Sequence, residues 1–162
     1  VALTAPHQAK LTKIQSADEM YQAVMAQIED QDVFIAAAAV ADYHLNNISP
    51  EKIKKRDDEL ILTLSKTRDI LGAVAALPNA PFTVGFAAET VELEKYALDK
   101  LARKGIDMIA ANWVGQVEGG FESDRNALEV FWKDGHHSFA MMPKMELAEH
   151  LIELIAKRIN QN

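Results

Sequence analysis

The sequence predicts an α/β fold: an open, mostly parallel sheet in a three-layer arrangement, with an antiparallel hairpin added at one edge. Three observations carry this. Apolar runs at 33–38, 82–87 and 107–111 are short and lack the polar alternation of half-exposed strands, as expected for strands buried on both faces. Stretches with helical spacing of apolar residues separate them, and parallel strands need such crossovers. Late in the chain, strand-like runs at 127–132 and 138–141 flank Lys133, Asp134 and Gly135, and Asp-Gly is a strong turn dipeptide.

Taken in order, residues 9–15 read as a short strand, with Leu11 and Ile14 apolar. Ser16 and Glu19 have the spacing of a capping box and open a helix over 17–29, with Met20, Val24 and Ile28 on one face. Residues 33–38 form the first buried strand, and Glu-Leu-Ile-Leu-Thr-Leu at 59–64 a further strand. A short helix over 68–77 turns Ile70, Leu71, Val74 and Leu77 inward and stops before Pro78. After the strand at 82–87, Thr90 is placed to cap a helix ending at Lys104, and Gly105 stands where a left-handed residue is wanted. The strand at 107–111 and the hairpin follow. An amphipathic helix over 144–158 closes the sequence with Leu147, Leu151, Leu154 and Ile155. Residues 1–162 are expected to form a single domain, Rossmann-like in layout. In such sheets ligands lie beyond the carboxyl ends of the strands.

Composition narrows the function classes. The 162 residues are 49% hydrophobic and 25% charged, ordinary for a globular protein. A net charge of −7 argues against a general nucleic-acid surface while leaving room for a local cationic pocket. With no cysteine, disulfides and thiolate chemistry are excluded, and a reducing cytoplasm is the expected location. No apolar run approaches the roughly 20 residues that span a bilayer, and no signal peptide is evident.

Four constellations can carry chemistry. Ala36, Ala37, Ala38 and Ala39 end the first buried strand and lead to a lone acid, Asp42. Small side chains let a ligand approach the backbone, and the acid can accept hydrogen bonds from a base or sugar. A long polar loop then delivers Lys52, Lys54, Lys55 and Arg56, either as a solvated surface or as cations for a reacting phosphate. Lys100 and Lys104 share one helix face near its carboxyl end, where they complement the dipole or hold a triphosphate. Phe86, in Gly-Phe-Ala-Ala-Glu-Thr, either stacks on a planar base or joins the core. The dinucleotide and P-loop glycine patterns, H-E-x-x-H and G-x-S-x-G are all missing. His7, His44, His136, His137 and His150 read as surface or structural residues.

Taken together, Ala-Ala-Val-Ala-Asp-Tyr, Pro-Glu-Lys-Ile-Lys-Lys, Val-Gly-Phe-Ala-Ala-Glu-Thr, and Ala-Asn before Gly-Phe-Glu-Ser-Asp-Arg-Asn-Ala-Leu resemble bacterial phosphopantothenoylcysteine synthetase. That enzyme is the ligase half of a usually bifunctional coenzyme A biosynthesis protein. The resemblance implies a ligase that activates 4′-phosphopantothenate with CTP as an acyl-cytidylate, assisted by Mg²⁺ or Mn²⁺, and couples it to cysteine with release of CMP. It implies that Ala36, Ala37 and Ala38 present backbone groups to the nucleotide and that Asp42 contacts it. Lys52 is the implied catalytic cation. Arg68, Asp69, Ile70 and Leu71 would line the nucleotide site with Phe86 beside them, and Lys100 and Lys104 would bind the triphosphate.

A homodimer with Lys52 near the subunit boundary is also implied, with the long loop and the edge hairpin as dimer elements. A flavin-dependent decarboxylase domain accompanies the ligase in the full-length relatives, so no flavin is expected in this chain. The family begins with a further βα unit carrying Gly-Pro-Thr and Asn-x-Ser-Ser-Gly segments, which this sequence does not contain. It also has Thr67-Arg68-Asp69-Ile70 where many relatives have Asn-Pro-Asp-Ile, and Trp113 where an acid is expected. Two other readings remain open at this level: a nicotinamide-dependent Rossmann-like oxidoreductase, and a catalytically silent dimerisation module.

Overall fold

A computed structural model describes residues 5–46, 51, 61–89, 92–113 and 123–161. The elements are α1 (Ala17–Met25), β1 (Val33–Ala36), β2 (Tyr43–Leu45), β3 (Leu64–Lys66), α2 (Ile70–Ala75), β4 (Phe82–Glu89), α3 (Leu93–Lys104), β5 (Met108–Trp113), β6 (Arg125–Trp132), β7 (Gly135–Pro143) and α4 (Lys144–Ile159). They fall into two compact units: Val1–Gln27 with Ala39–Ile70, and Ile28–Ala38 with Leu71–Asn162.

The larger unit holds a five-stranded sheet in the order β1-β4-β5-β6-β7. β1, β4 and β5 are parallel, while β6 and β7 are antiparallel additions, so the expected edge hairpin is present. Side chains alternate between two apolar layers. On one face Leu71, Ala87, Ile109, Ala111 and Phe131 pack with Leu93, Ala97 and Leu101 of α3. On the other, Val84, Met108, Ala110, Leu128 and Val130 pack with Leu147, Leu151 and Ile155 of α4. This is the three-layer arrangement that the apolar runs predict. The helices bury one residue per turn, as their amphipathic spacing requires.

The amino-terminal edge of the sheet is tied by polar groups. Asp107 Oδ2 accepts from the Thr83 backbone N–H and from Thr83 Oγ1, each at 2.7 Å. The Asp107 N–H reaches back to Thr83. Thr83 is only 1% exposed, so these bonds satisfy groups that water cannot reach. Gly105 ends α3 at φ 63°, the left-handed conformation that its place in the sequence predicts.

Gly85 is glycine for lack of space: a Cβ there would stand 2.8 Å from Leu71 Cδ2 and 2.9 Å from Ile106 Cδ1. Both neighbours are buried. Gly85→Ala is therefore expected to lower unfolding free energy by about 1–2 kcal/mol through overpacking. Chemical denaturation with an unchanged m-value would show it; wild-type stability would mean that the two side chains yield freely.

In the smaller unit the Ser16 half of the capping box forms, and the Glu19 carboxylate reaches back one residue past the cap, to Gln15. Ser16 Oγ accepts the Glu19 N–H at 3.1 Å, and Glu19 Oε2 accepts the Gln15 N–H at 2.7 Å. Two sequence expectations fail here. α1 ends at Met25 rather than at 29, because the chain then turns at Ala26 and Gln27, and Ile28 is buried in the other unit. Residues 9–15 form no strand: Leu11 is 66% exposed, and among the described residues no neighbouring strand takes up the backbone hydrogen bonds. Of the strand expected at 59–64, only Leu64 lies in β3, and 59 and 60 fall outside the described residues. β3 pairs antiparallel with β2, which the sequence did not reveal. No described helix is long and apolar enough to cross a membrane.

Candidate functional site

β1, β4 and β5 run to the same edge of the larger unit: β1 ends at Ala36, while β4 and β5 pass through Ala87, Ala88, Ala110 and Ala111 before ending at Glu89 and Trp113. β1 pairs with β4 only as far as Ala36, opposite Gly85, and the chain then leaves the sheet through Ala37 and Ala38, both exposed. β4 and β5 continue together, with Ala87 opposite Ala111 and Ala88 opposite Asn112. β1 thus stops short of β4 and β5, and the step it leaves at the carboxyl edge, next to Ala36, Ala37 and Ala38, is termed the notch.

Lys100 supplies the charge at that notch. Its Nζ donates a 2.8 Å hydrogen bond to the carbonyl oxygen of Phe86, one residue beyond the last β1–β4 pair. Helical side chains lean toward the helix amino terminus, so Lys100 reaches from the body of α3 toward the carboxyl edge. Phe86 itself is half-buried against the layer covered by α4. The lysine and the phenylalanine ring thus approach β4 from opposite faces and meet at its backbone. Ala36, Ala37, Ala38, Phe86 and Lys100 come together as a set within one unit. Lys104, one turn further along α3, is half-buried.

The smaller unit assembles a second set. The Thr67 N–H donates to the Asp42 carbonyl at 2.8 Å, which fixes exposed Asp42 beside the segment leading into α2. Arg68 lies 3.7 Å from Asp18 and its guanidinium stacks over Tyr21 at 4.9 Å, so its charge is engaged with α1. Asp69 is exposed. Ile70 is buried at 7% exposure, as is Leu71 of the larger unit at 6%, so each offers a ligand backbone groups rather than a side chain. Thr67 Oγ1 is buried without a hydrogen-bond partner among the described residues, a feature invisible in the sequence. Lys52, Lys54, Lys55, Arg56 and Thr90 lie outside the described residues.

Sequence reasoning also passed over Tyr96, Asp99 and Arg103. These join Lys100 and Ala102 around an open concavity of about 800 Å³ on α3. Four helical positions sharing one stripe were the available signal. Among the described residues, no group of three or more His, Asp or Glu side chains is placed to hold a metal ion.

A three-layer sheet whose parallel strands end in a small-residue notch, with a cation beside it, belongs with the Rossmann-like α/β proteins that bind ligands at the carboxyl edge. The comparison with known families is specific. The chain belongs to the family described as the DNA/pantothenate metabolism flavoprotein C-terminal domain, whose model matches residues 1–159. It is similar to the coenzyme A biosynthesis bifunctional protein CoaBC of Haemophilus influenzae, with 45% identity over 161 residues, 98% of this chain and 40% of that protein. The Escherichia coli K12 protein of the same name is 43% identical, over 99% of this chain and 41% of the relative. The chain therefore spans about 40% of the length of these relatives. Among solved structures, the C-terminal domain of a CoaBC protein superposes with a TM-score of 0.81 at 29% identity, covering 99% of this chain and 71% of the other. The family is the one to which the sequence motifs point.

Proposed function

We propose that the chain is the ligase part of a coenzyme A biosynthesis protein, joining 4′-phosphopantothenate to cysteine through an acyl-cytidylate made from CTP. The observation that carries this reading is the Lys100 ammonium held at the Phe86 carbonyl, beside the notch where β1 stops in alanines. Methyl-lined backbone suits a base and ribose, and a cation at the strand ends suits phosphates. The motif resemblance also implies nucleotide contacts from Asp42, Arg68, Asp69, Ile70 and Leu71, and charge for the triphosphate from Lys104.

In the first step a substrate carboxylate oxygen attacks the α-phosphorus of CTP. The bond to the leaving pyrophosphate breaks, and the acyl-cytidylate forms. Cysteine then attacks the acyl carbon and CMP leaves. Lys52 neutralises charge that develops as the phosphate is transferred. Mg²⁺ or Mn²⁺ would enter with the nucleotide and would supply charge neutralisation at the phosphates. The working form is a cytoplasmic homodimer. Tyr43, Leu45, Ile61, Leu62 and Leu64 support association, since all are exposed around the β2–β3 ribbon. A flavin-dependent decarboxylase belongs to the same full-length protein in this reading, and flavin has no part in the proposed ligase chemistry.

The test is pyrophosphate release from CTP in the presence of 4′-phosphopantothenate and Mg²⁺. Release that depends on both substrates, and falls about a hundredfold or more in Lys52→Ala, is expected for an electrostatic catalytic group. Binding of CTP without release would favour a catalytically silent assembly module, the reading to which the exposed ribbon also lends weight. Quenching of NADH fluorescence without CTP binding would favour an oxidoreductase.

A further inference from the structure

We propose that Arg103 is a polyphosphate-binding residue, acting beside Lys100 on the same concave face of α3. The inference rests on the nucleotide reading above and adds a contact that the motifs do not mark. Lys100 and Arg103 are three residues apart, and both line the concavity with Tyr96, Asp99 and Ala102. Lys104, the second cation that the sequence suggests, is not among the residues lining it. The two side chains have different surroundings. Lys100 is half-buried and directed at the Phe86 carbonyl, which places its charge at the strand ends. Arg103 is exposed and makes no hydrogen bond or ion pair among the described residues.

Its guanidinium is therefore available to an incoming anion without breaking an existing bond. Asp99 lies four positions earlier on the same helix, the spacing of a helical ion pair, yet the two are not paired. A planar guanidinium presents paired donors that match two phosphate oxygens at once, which an ammonium cannot do. Lys100 then holds the phosphate nearest the strand ends, and Arg103 takes the outer phosphates, the part that leaves as pyrophosphate. Because Arg103 stands in solvent, its effect is moderate and falls with added salt.

The experiment compares CTP, CDP, CMP and inorganic tripolyphosphate as ligands of the 162-residue chain by calorimetry, with and without Arg103→Ala and Arg103→Lys. Arg103→Ala is expected to weaken CTP and tripolyphosphate by about tenfold, the scale of one charge-assisted contact, and to leave CMP unchanged. Arg103→Lys recovers only part of the loss, because the fork is gone. Since Arg103 is exposed, the thermal midpoint of the variants should match that of the parent chain, which separates lost binding from lost folding. Equal weakening of CTP, CDP and CMP, or none, overturns the role of Arg103 while leaving the nucleotide site standing. Tripolyphosphate binding that depends on Arg103, without any CTP binding, keeps the anion site and overturns the nucleotide reading. Absence of binding by either ligand overturns both.

Discussion

Replacing Lys100 with alanine is expected to weaken CTP binding by about a hundredfold, the scale of a charge-assisted hydrogen bond in a partly desolvated site. Lys100 is the cation seen at the notch, with its Nζ 2.8 Å from the Phe86 carbonyl. It arrives there by a long apolar stem, half-buried against the sheet. Lys100→Met keeps that stem and removes only the charge. It should lose nearly as much affinity as Lys100→Ala while holding the fold better. Titration with CTP in excess Mg²⁺ reads both. Affinity retained in Lys100→Met would mean that the stem, and not the ammonium, matters to the site.

The largest loss of stability is expected at the opposite edge of the sheet. Asp107→Ala removes the acceptor for two Thr83 donors, in a residue only 1% exposed. Stranding a buried N–H and a buried hydroxyl costs about 3 kcal/mol, and the thermal midpoint should fall by roughly 6–12 °C for a chain of this size. Asp107→Asn keeps one oxygen acceptor and should lose less. Calorimetric unfolding measures both. CTP affinity of the folded variants should stay at the parent value, because the Asp107–Thr83 ties lie at the amino-terminal end of β4 and β5 and the notch lies at the other. A full loss of nucleotide binding in a folded Asp107→Asn protein would show that the two edges are coupled.

The parts of the fold that were legible are those whose apolar pattern is decided inside one unit. The sheet strands and the helices α3 and α4 bury their apolar residues against each other, so periodicity located them to within a few residues. Gly105 was legible because only the left-handed conformation explains a glycine at that place. The smaller unit was harder to read. Leu11, Leu45, Ile61 and Leu64 are apolar yet exposed, so an apolar run there does not signal a buried strand. The short strand β2 contains His44 and no strong alternation, and it forms because β3 is there to pair with it.

The site shows the same division. Alanines at the end of β1 could be recognised from composition, because close approach of a ligand needs small residues, whereas Gly85 is small because Leu71 and Ile106 pack against it. The bond from Lys100 to the Phe86 carbonyl could not be recognised, since fourteen residues separate the partners and the sequence shows only a lysine on a helix. Arg103 was missed for a related reason. An exposed arginine in the last turn of a helix reads as a partner for the dipole until the concavity around it is seen.

In the proposed reading, nucleotide binds where β1, β4 and β5 end. The most direct measurement is a map of backbone amide resonances in the isotope-labelled chain, recorded with and without CTP and Mg²⁺. Shifts are expected at Ala37, Ala38, Gly85, Phe86 and Ala87, with Lys133 and Asp134 at the far edge unmoved. Shifts confined to the hairpin turn, with the alanine notch and Phe86 silent under saturating CTP, would contradict it.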